Sequence, residues 1–128
     1  MSGLDELREL IGTLRGEGGC PWDKRQTLRS LAPYLVEEAR EALEALEAGS
    51  DEDSAEEIGD VLLIIMLLCR VAEEEGRFTV DDCLRLACEK IVRRHPHVFS
   101  DVKVSSEEEI IENWKKIKAI EKSARDNK

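Results

Sequence analysis

Apolar positions along this chain recur at helical rather than alternating spacing, and most residues between them are charged. Leu4, Leu7, Ile11 and Leu14 share one face of an opening amphipathic helix, with Asp5, Glu6, Arg8 and Glu9 around them. Gly16, Gly18 and Gly19 end that helix, and residues 18–24 read as a loop of turn formers. A short helical segment is predicted over 26–31. It leads into a first long helix with Ser30 as cap and Pro33 in the first turn, lasting to Gly49. The second long helix is predicted from about Ser54 to Glu75, ending at Gly76. Thr79 to Asp82 resembles a capping box and opens a third core helix carrying Leu84, Leu86, Ala87, Ile91 and Val92, which Pro96 stops. Residues 97–99 are expected to be extended and 101–104 to be loop. Ser105, with Glu108 three residues on, is expected to cap a last helix whose apolar stripe is Ile110, Ile111, Trp114, Ile117 and Ile120. From Ser123 the chain turns polar and is expected to fray. The pattern predicts an all-α bundle of about five helices.

One stretch departs from amphipathic patterning. Val61 to Cys69 is apolar on every side of the second long helix, which predicts burial all round. A single helix pair in a chain of 128 residues cannot cover it, so the pattern predicts a homodimer built on the long helices. The length suits one domain over 1–128, and 41% apolar residues with only 4% aromatics point to an aliphatic core.

Charge narrows the partners. The formal net charge of −10 argues against a nucleic-acid polymer, whose phosphates call for a basic footprint. A small anionic substrate would need bridging cations and a local set of Lys and Arg. The four cysteines fall in no zinc-ligand or CxxC spacing, and the sequence predicts packed, reduced thiols. The N-terminus lacks the pattern of an export signal, and nine apolar residues fall far short of the ~20 that span a bilayer. The expectation is a cytoplasmic protein with no membrane partner.

The chemistry concentrates on the two long helices. Glu38 and Glu41 share a stripe with Tyr34 and Ala45 on the first, and Glu57 and Asp60 run into Ile64 and Leu68 on the second. Carboxylates beside apolar surface cost several kcal/mol unless a cation compensates them, and a helical hairpin would bring the two pairs face to face. Such a set implies a hard divalent ion, Mg²⁺ or Mn²⁺, on all-oxygen ligands. A di-iron bundle would need Glu-x-x-His pairs, and His95 and His97 lie beyond a different helix. Elsewhere the residues leave alternatives open. Trp22 plugs the edge of the core, or its loop sets Lys24 beside a phosphate. Arg93 and Arg94 answer a helix C-terminus, or hold phosphate oxygens in bidentate fashion. Trp114, with Asn113, Lys115 and Lys118 near it, packs in the core or offers a stacking surface.

Several segments together resemble a known family. Gly19-Cys20-Pro21-Trp22-Asp23-Lys24, Glu37-Glu38-Ala39-Arg40-Glu41, Glu56-Glu57-Ile58-Gly59-Asp60, Arg93-Arg94-His95-Pro96-His97-Val98-Phe99 and Asn113-Trp114-Lys115 are similar to the MazG nucleoside triphosphate pyrophosphohydrolase domains of the all-α NTP pyrophosphatase superfamily. The resemblance implies a helical bundle that dimerises, and the sequence leaves open whether dimers pair into tetramers. It also implies Mg²⁺-dependent hydrolysis of an NTP or dNTP to the monophosphate and pyrophosphate, in a house-cleaning role. It assigns Glu38, Glu41, Glu57 and Asp60 to the metal, and Glu41 or Glu38 to orienting the attacking water or taking its proton. Lys24, Arg93, Arg94, Trp114 and Lys118 become candidates for the substrate. Many MazG proteins carry two such domains in tandem, where this chain has one. The competing expectations are a non-catalytic regulatory or dimerisation domain and a phosphoribosyl-ATP pyrophosphohydrolase. The intact acid quartet argues against the first, and the Cys20 to Lys24 and Arg93 to Phe99 segments argue against the second.

Overall fold

The computed structural model describes residues 2–127, which form seven helices and, among the described residues, no strand. They are α1 (Gly3–Arg15), α2 (Pro21–Arg25), α3 (Leu28–Ala48), α4 (Asp51–Glu74), α5 (Val80–Arg94), α6 (Pro96–Phe99) and α7 (Glu107–Asp126). The chain divides after Val80 into two compact units. Two helices exceed the expected number, and both are short. α2 stands where a loop was expected and α6 where an extended segment was expected, each with a proline at its start. Proline fixes φ near the helical value and lacks an N–H that the first turn would leave unpaired, so it nucleates even a four- or five-residue helix.

In the first unit α3 and α4 form the central hairpin. Gly49 ends α3 in the left-handed conformation, φ 83°, which costs a residue without Cβ nothing. Ser50 then caps α4 at once, accepting from the Asp53 N–H at 3.3 Å, so α4 starts three residues before the expected Ser54. Ser30 does not cap α3. Thr27 does, while Ser30 at the third helical position returns the bond to the Thr27 N–H at 2.8 Å. Pro33 therefore lies inside the helix rather than in its first turn, and removes one rung of the hydrogen-bond ladder. The core beneath is Ile11 from α1, Leu31 from α3, and Met66, Leu67 and Val71 from α4. Leu31 is fully buried, a burial worth roughly 1.5–3 kcal/mol.

Arg15 stitches three helices of this unit together. From the end of α1 it donates to the Gln26 carbonyl at 3.3 Å and to the Asp23 carbonyl of α2, and it grips both Glu74 carboxylate oxygens of α4 at 2.9 and 3.0 Å. Its side chain is 7% exposed. Burial of a charge at this depth is tolerated because the N–H donors along the edges of the guanidinium meet acceptors.

The apolar run of α4 is only partly covered. Ile64, Met66, Leu67 and Cys69 are buried, whereas Leu62, Leu63 and Ile65 remain about 40% exposed. In the second unit α5 contributes no buried residue, and Leu84, Leu86, Ile91 and Val92 are about half exposed, against the expectation of a core helix. Periodicity shows that a face is apolar without showing what covers it. Cys83 and Cys88 on that helix are likewise exposed rather than packed, while Cys69 is buried as expected. The cap of α7 is Ser106 rather than Ser105: its hydroxyl accepts from the Glu109 N–H, and the Glu109 carboxylate takes the Ser105 N–H at 2.8 Å and hydroxyl at 3.0 Å. α7 stays helical to Asp126, past the expected fraying point. No helix among the described residues is long and apolar enough to cross a membrane.

Candidate metal centre

The hairpin brings the acids of α3 and α4 together. Glu38, Glu41 and Glu57 each offer a carboxylate oxygen, and these atoms lie within 4.8 Å of one another. The stripe geometry explains the convergence: Glu38 and Glu41 are one turn apart on α3, and Glu57 faces them from the first half of α4. Glu38, Glu57 and Asp60 are half-buried, and Glu41 is exposed.

The electrostatics are unfavourable for four bare charges. Desolvation pushes the Glu38 carboxyl above its usual value, with repulsion from Glu41, Asp60 and Glu37 adding to it, and a hydrogen bond to Glu41 favours the protonated form. Glu57 is raised in the same way, first by desolvation and then by the charges of Glu41, Asp60, Glu38 and Glu56. Asp60, one turn after Glu57, thus acts on both acids. One oxygen of Glu38 and one of Glu57, Oε2 in each, are buried without a hydrogen-bond partner. Buried acceptors without donors cost about 1–3 kcal/mol or more, so they call for an occupant. A donor set made only of carboxylate oxygens, with orphaned lone pairs turned inward, fits a hard divalent cation.

The remaining candidates divide between the two units. Lys24 stands exposed on α2 of the first unit. In that unit Trp22 packs edge-on against Tyr34, ring centroids 5.8 Å apart, and both rings stay about 40% exposed, so Trp22 is no buried plug. Arg93, Arg94, Trp114 and Lys118 belong to the second unit. There Arg93 and Arg94 both bond Glu121, at 2.5 and 2.7 Å, and hold its carboxyl down at about 2. Trp114 meets His95 edge-on at 5.4 Å and borders a cavity of about 330 Å³ lined by His97, Glu107, Ile110 and Ile111. Its Nε1 and the Nδ1 of His97 are buried without partners. Lys118 is exposed on α7. Sequence reasoning missed Arg15, Glu74 and Glu121. Arg15 and Glu74 are 59 residues apart, and a charged residue on a helix carries no mark of a partner at that separation.

Residues 26–99 match the MazG nucleotide pyrophosphohydrolase domain, more than half of the chain. An uncharacterised protein of Bacillus subtilis, YabN, is 50% identical over 91% of this chain and 24% of its own length. A nucleoside triphosphate pyrophosphohydrolase/pyrophosphatase MazG of Thermotoga maritima is 44% identical over 93% of this chain and 45% of its own. The nucleoside triphosphate pyrophosphohydrolase of Escherichia coli K12 is 39% identical over 96% and 47%. The chain thus spans between a quarter and a half of the length of these relatives. The crystal structure of a mazG-related protein from Thermotoga maritima superposes with a TM-score of 0.72 at 30% identity, covering 90% of this chain and 98% of that one. With its converging α3–α4 carboxylates, its all-α fold and the match over residues 26–99, the chain belongs to the MazG family.

Proposed function

We propose that the chain is a metal-dependent nucleoside triphosphate pyrophosphohydrolase, converting an NTP or dNTP to the monophosphate and pyrophosphate in nucleotide house-cleaning. The observation that carries this reading is the convergence of Glu38, Glu41 and Glu57 with two buried, unpartnered carboxylate oxygens. Family membership and the activity named for the Thermotoga and E. coli relatives support it. Glu38, Glu41, Glu57 and Asp60 are the proposed ligands of Mg²⁺, with Mn²⁺ as substitute. Bound there, a divalent ion would neutralise phosphate charge and lower the pKa of water. Glu41 or Glu38 then orients a water toward phosphorus and takes its proton, as the new P–O bond forms and the phosphoanhydride bond breaks to give the monophosphate and pyrophosphate. Lys24, Arg93, Arg94, Trp114 and Lys118 are the proposed substrate contacts, with cations for phosphate and the indole for the base.

Residues 1–128 act in this reading as one functional domain, in the cytoplasm. The half-exposed Leu62, Leu63 and Ile65 of α4 support a homodimer, or a pair of dimers, because side chains of this kind gain most when a second copy covers them. The deciding experiment incubates the protein with NTPs and dNTPs, with and without Mg²⁺ or Mn²⁺, and measures monophosphate and pyrophosphate. Folded protein that turns over no nucleotide under any of these conditions sinks the reading.

A further inference from the structure

We propose that Arg93 and Arg94 form a polyanion-binding fork of the phosphoanhydride class, and that Glu121 fills it from within as a built-in competitor. The proposal takes the substrate role of Arg93 and Arg94 from the preceding reading and adds what controls them. The two arginines leave the last turn of α5 side by side. Glu121 Oε2 accepts from Arg93 Nε at 2.5 Å, and its Oε1 accepts from an Arg94 terminal nitrogen at 2.7 Å. Two guanidiniums carry ten N–H donors, and one carboxylate cannot engage them all. The shortfall is visible: Arg94 Nε is buried and has no acceptor.

The surroundings favour an anion as well. A cavity of about 580 Å³ opens beside the fork, and its charged lining is Lys90, Arg93, Arg94 and Arg125 against Glu89 and Glu121. A cation excess here stands out in a chain of net charge −10. Glu89 also accepts from Arg85 on its own helix, at 3.4 Å, so Glu121 is the acid that meets the fork. Glu121 holds both guanidiniums in place in the resting protein and sets a threshold for entry. A monoanion gains no more at the fork than Glu121 already does, a monophosphate at roughly −1.5 to −2 gains more, and a pyrophosphoryl group, with a larger charge and more oxygens, gains most and displaces it. The fork thereby prefers substrates and products that contain a phosphoanhydride over a monophosphate, because selectivity is a difference of affinities.

The test titrates inorganic pyrophosphate into the intact chain by calorimetry. Glu121→Gln is expected to tighten binding by roughly ten-fold, the scale of a charge-assisted hydrogen bond released to the ligand. Glu89→Gln, which removes the same charge from the same cavity, is expected to change it by no more than about two-fold, as screened charges do. Adding Arg94→Ala to Glu121→Gln should abolish the gain. Glu121→Asp withdraws the carboxylate by one methylene and should tighten binding also, which covers the case that the Gln variant folds poorly. Unchanged or weaker binding by both Glu121 variants, or an equal gain from Glu89→Gln, overturns the proposal. Calorimetry needs no turnover. Failure of nucleotide hydrolysis alongside the expected pyrophosphate response would therefore sink the pyrophosphohydrolase reading and leave the competitor standing.

Discussion

Glu38 of α3 and Glu57 of α4 face each other across the hairpin, each with its Oε2 buried and without a hydrogen-bond partner. Helix propensity and core burial force this pair together, and the cluster stores electrostatic repulsion that a cation would release.

Binding of a divalent ion should therefore register as stability. Mg²⁺ at about 100 times its dissociation constant is expected to add about 2.7 kcal/mol, read as a rise in Tm by scanning calorimetry. Glu57→Gln should raise Tm of the metal-free protein, by relieving repulsion, and remove most of the Mg²⁺ response. A variant that keeps the full response places the ion elsewhere.

Turnover should depend on the same acids. Glu41→Gln and Asp60→Asn are each expected to lower kcat by roughly 10²–10⁴-fold, the range for a lost acid–base or charge-positioning group, while far-UV circular dichroism stays near wild type. Activity retained in both variants moves the site.

The pH dependence has two opposed components. Glu121 is held at about 2, first by Arg94 and then by Arg93, so its contribution is fully present above the ordinary carboxylate range and is lost as pH falls toward 2. With solvent screening it is worth on the order of 1 kcal/mol. Glu121→Gln should destabilise at pH 7 and match wild type near pH 2. Glu38 and Glu57 have raised values, so the metal-free protein loses their share of stability as pH rises from the ordinary carboxylate range through those higher values. Mg²⁺ should flatten that second component alone. Denaturant titrations at several pH values separate the two.

Arg15→Ala should take the Arg15 donor from the Gln26 carbonyl, and leave the Asp23 carbonyl with only the Gln26 N–H and the Glu74 carboxylate with only Arg70. A loss of about 1–3 kcal/mol is expected, because a buried acceptor that loses its donor costs more than the bond contributed. Loosening of α2 should also shift the emission of Trp22, five residues of helix being too few to hold without this anchor. An unshifted spectrum would mean that α2 is held by other contacts.

Gly19→Ala tests the turn between α1 and α2. A Cβ there would overlap the carbonyl oxygens of Leu14 and Thr13, which are backbone and cannot swing aside. Overpacking of this kind costs about 1–3 kcal/mol, measurable by urea denaturation.

The long elements were legible in the sequence because they repeat a period. Gly16, Gly49 and Gly76 mark where α1, α3 and α4 end, and the stripe that joins Glu38 to Glu41 already implied converging acids. The short elements were not. α2 and α6 are too brief for a period to show: Pro96 does stop α5, and Pro21 lies among turn formers, but each proline also starts a short helix of its own. Caps slipped by one to three residues, because Thr27 and Ser30, or Ser105 and Ser106, are equally good cap residues until the chain chooses which one turns away from the helix.

Local spacing by itself determined that this chain is helical, where its hairpin turns, and that its acids come in pairs one turn apart. Only the tertiary structure decided that three of the acids meet within 4.8 Å with two oxygens unsatisfied, that Arg15 reaches Glu74, and that Glu121 occupies Arg93 and Arg94. The reason is range. A helical period is fixed by backbone geometry over a few residues, whereas a charge finds its partner through packing between segments that lie tens of residues apart.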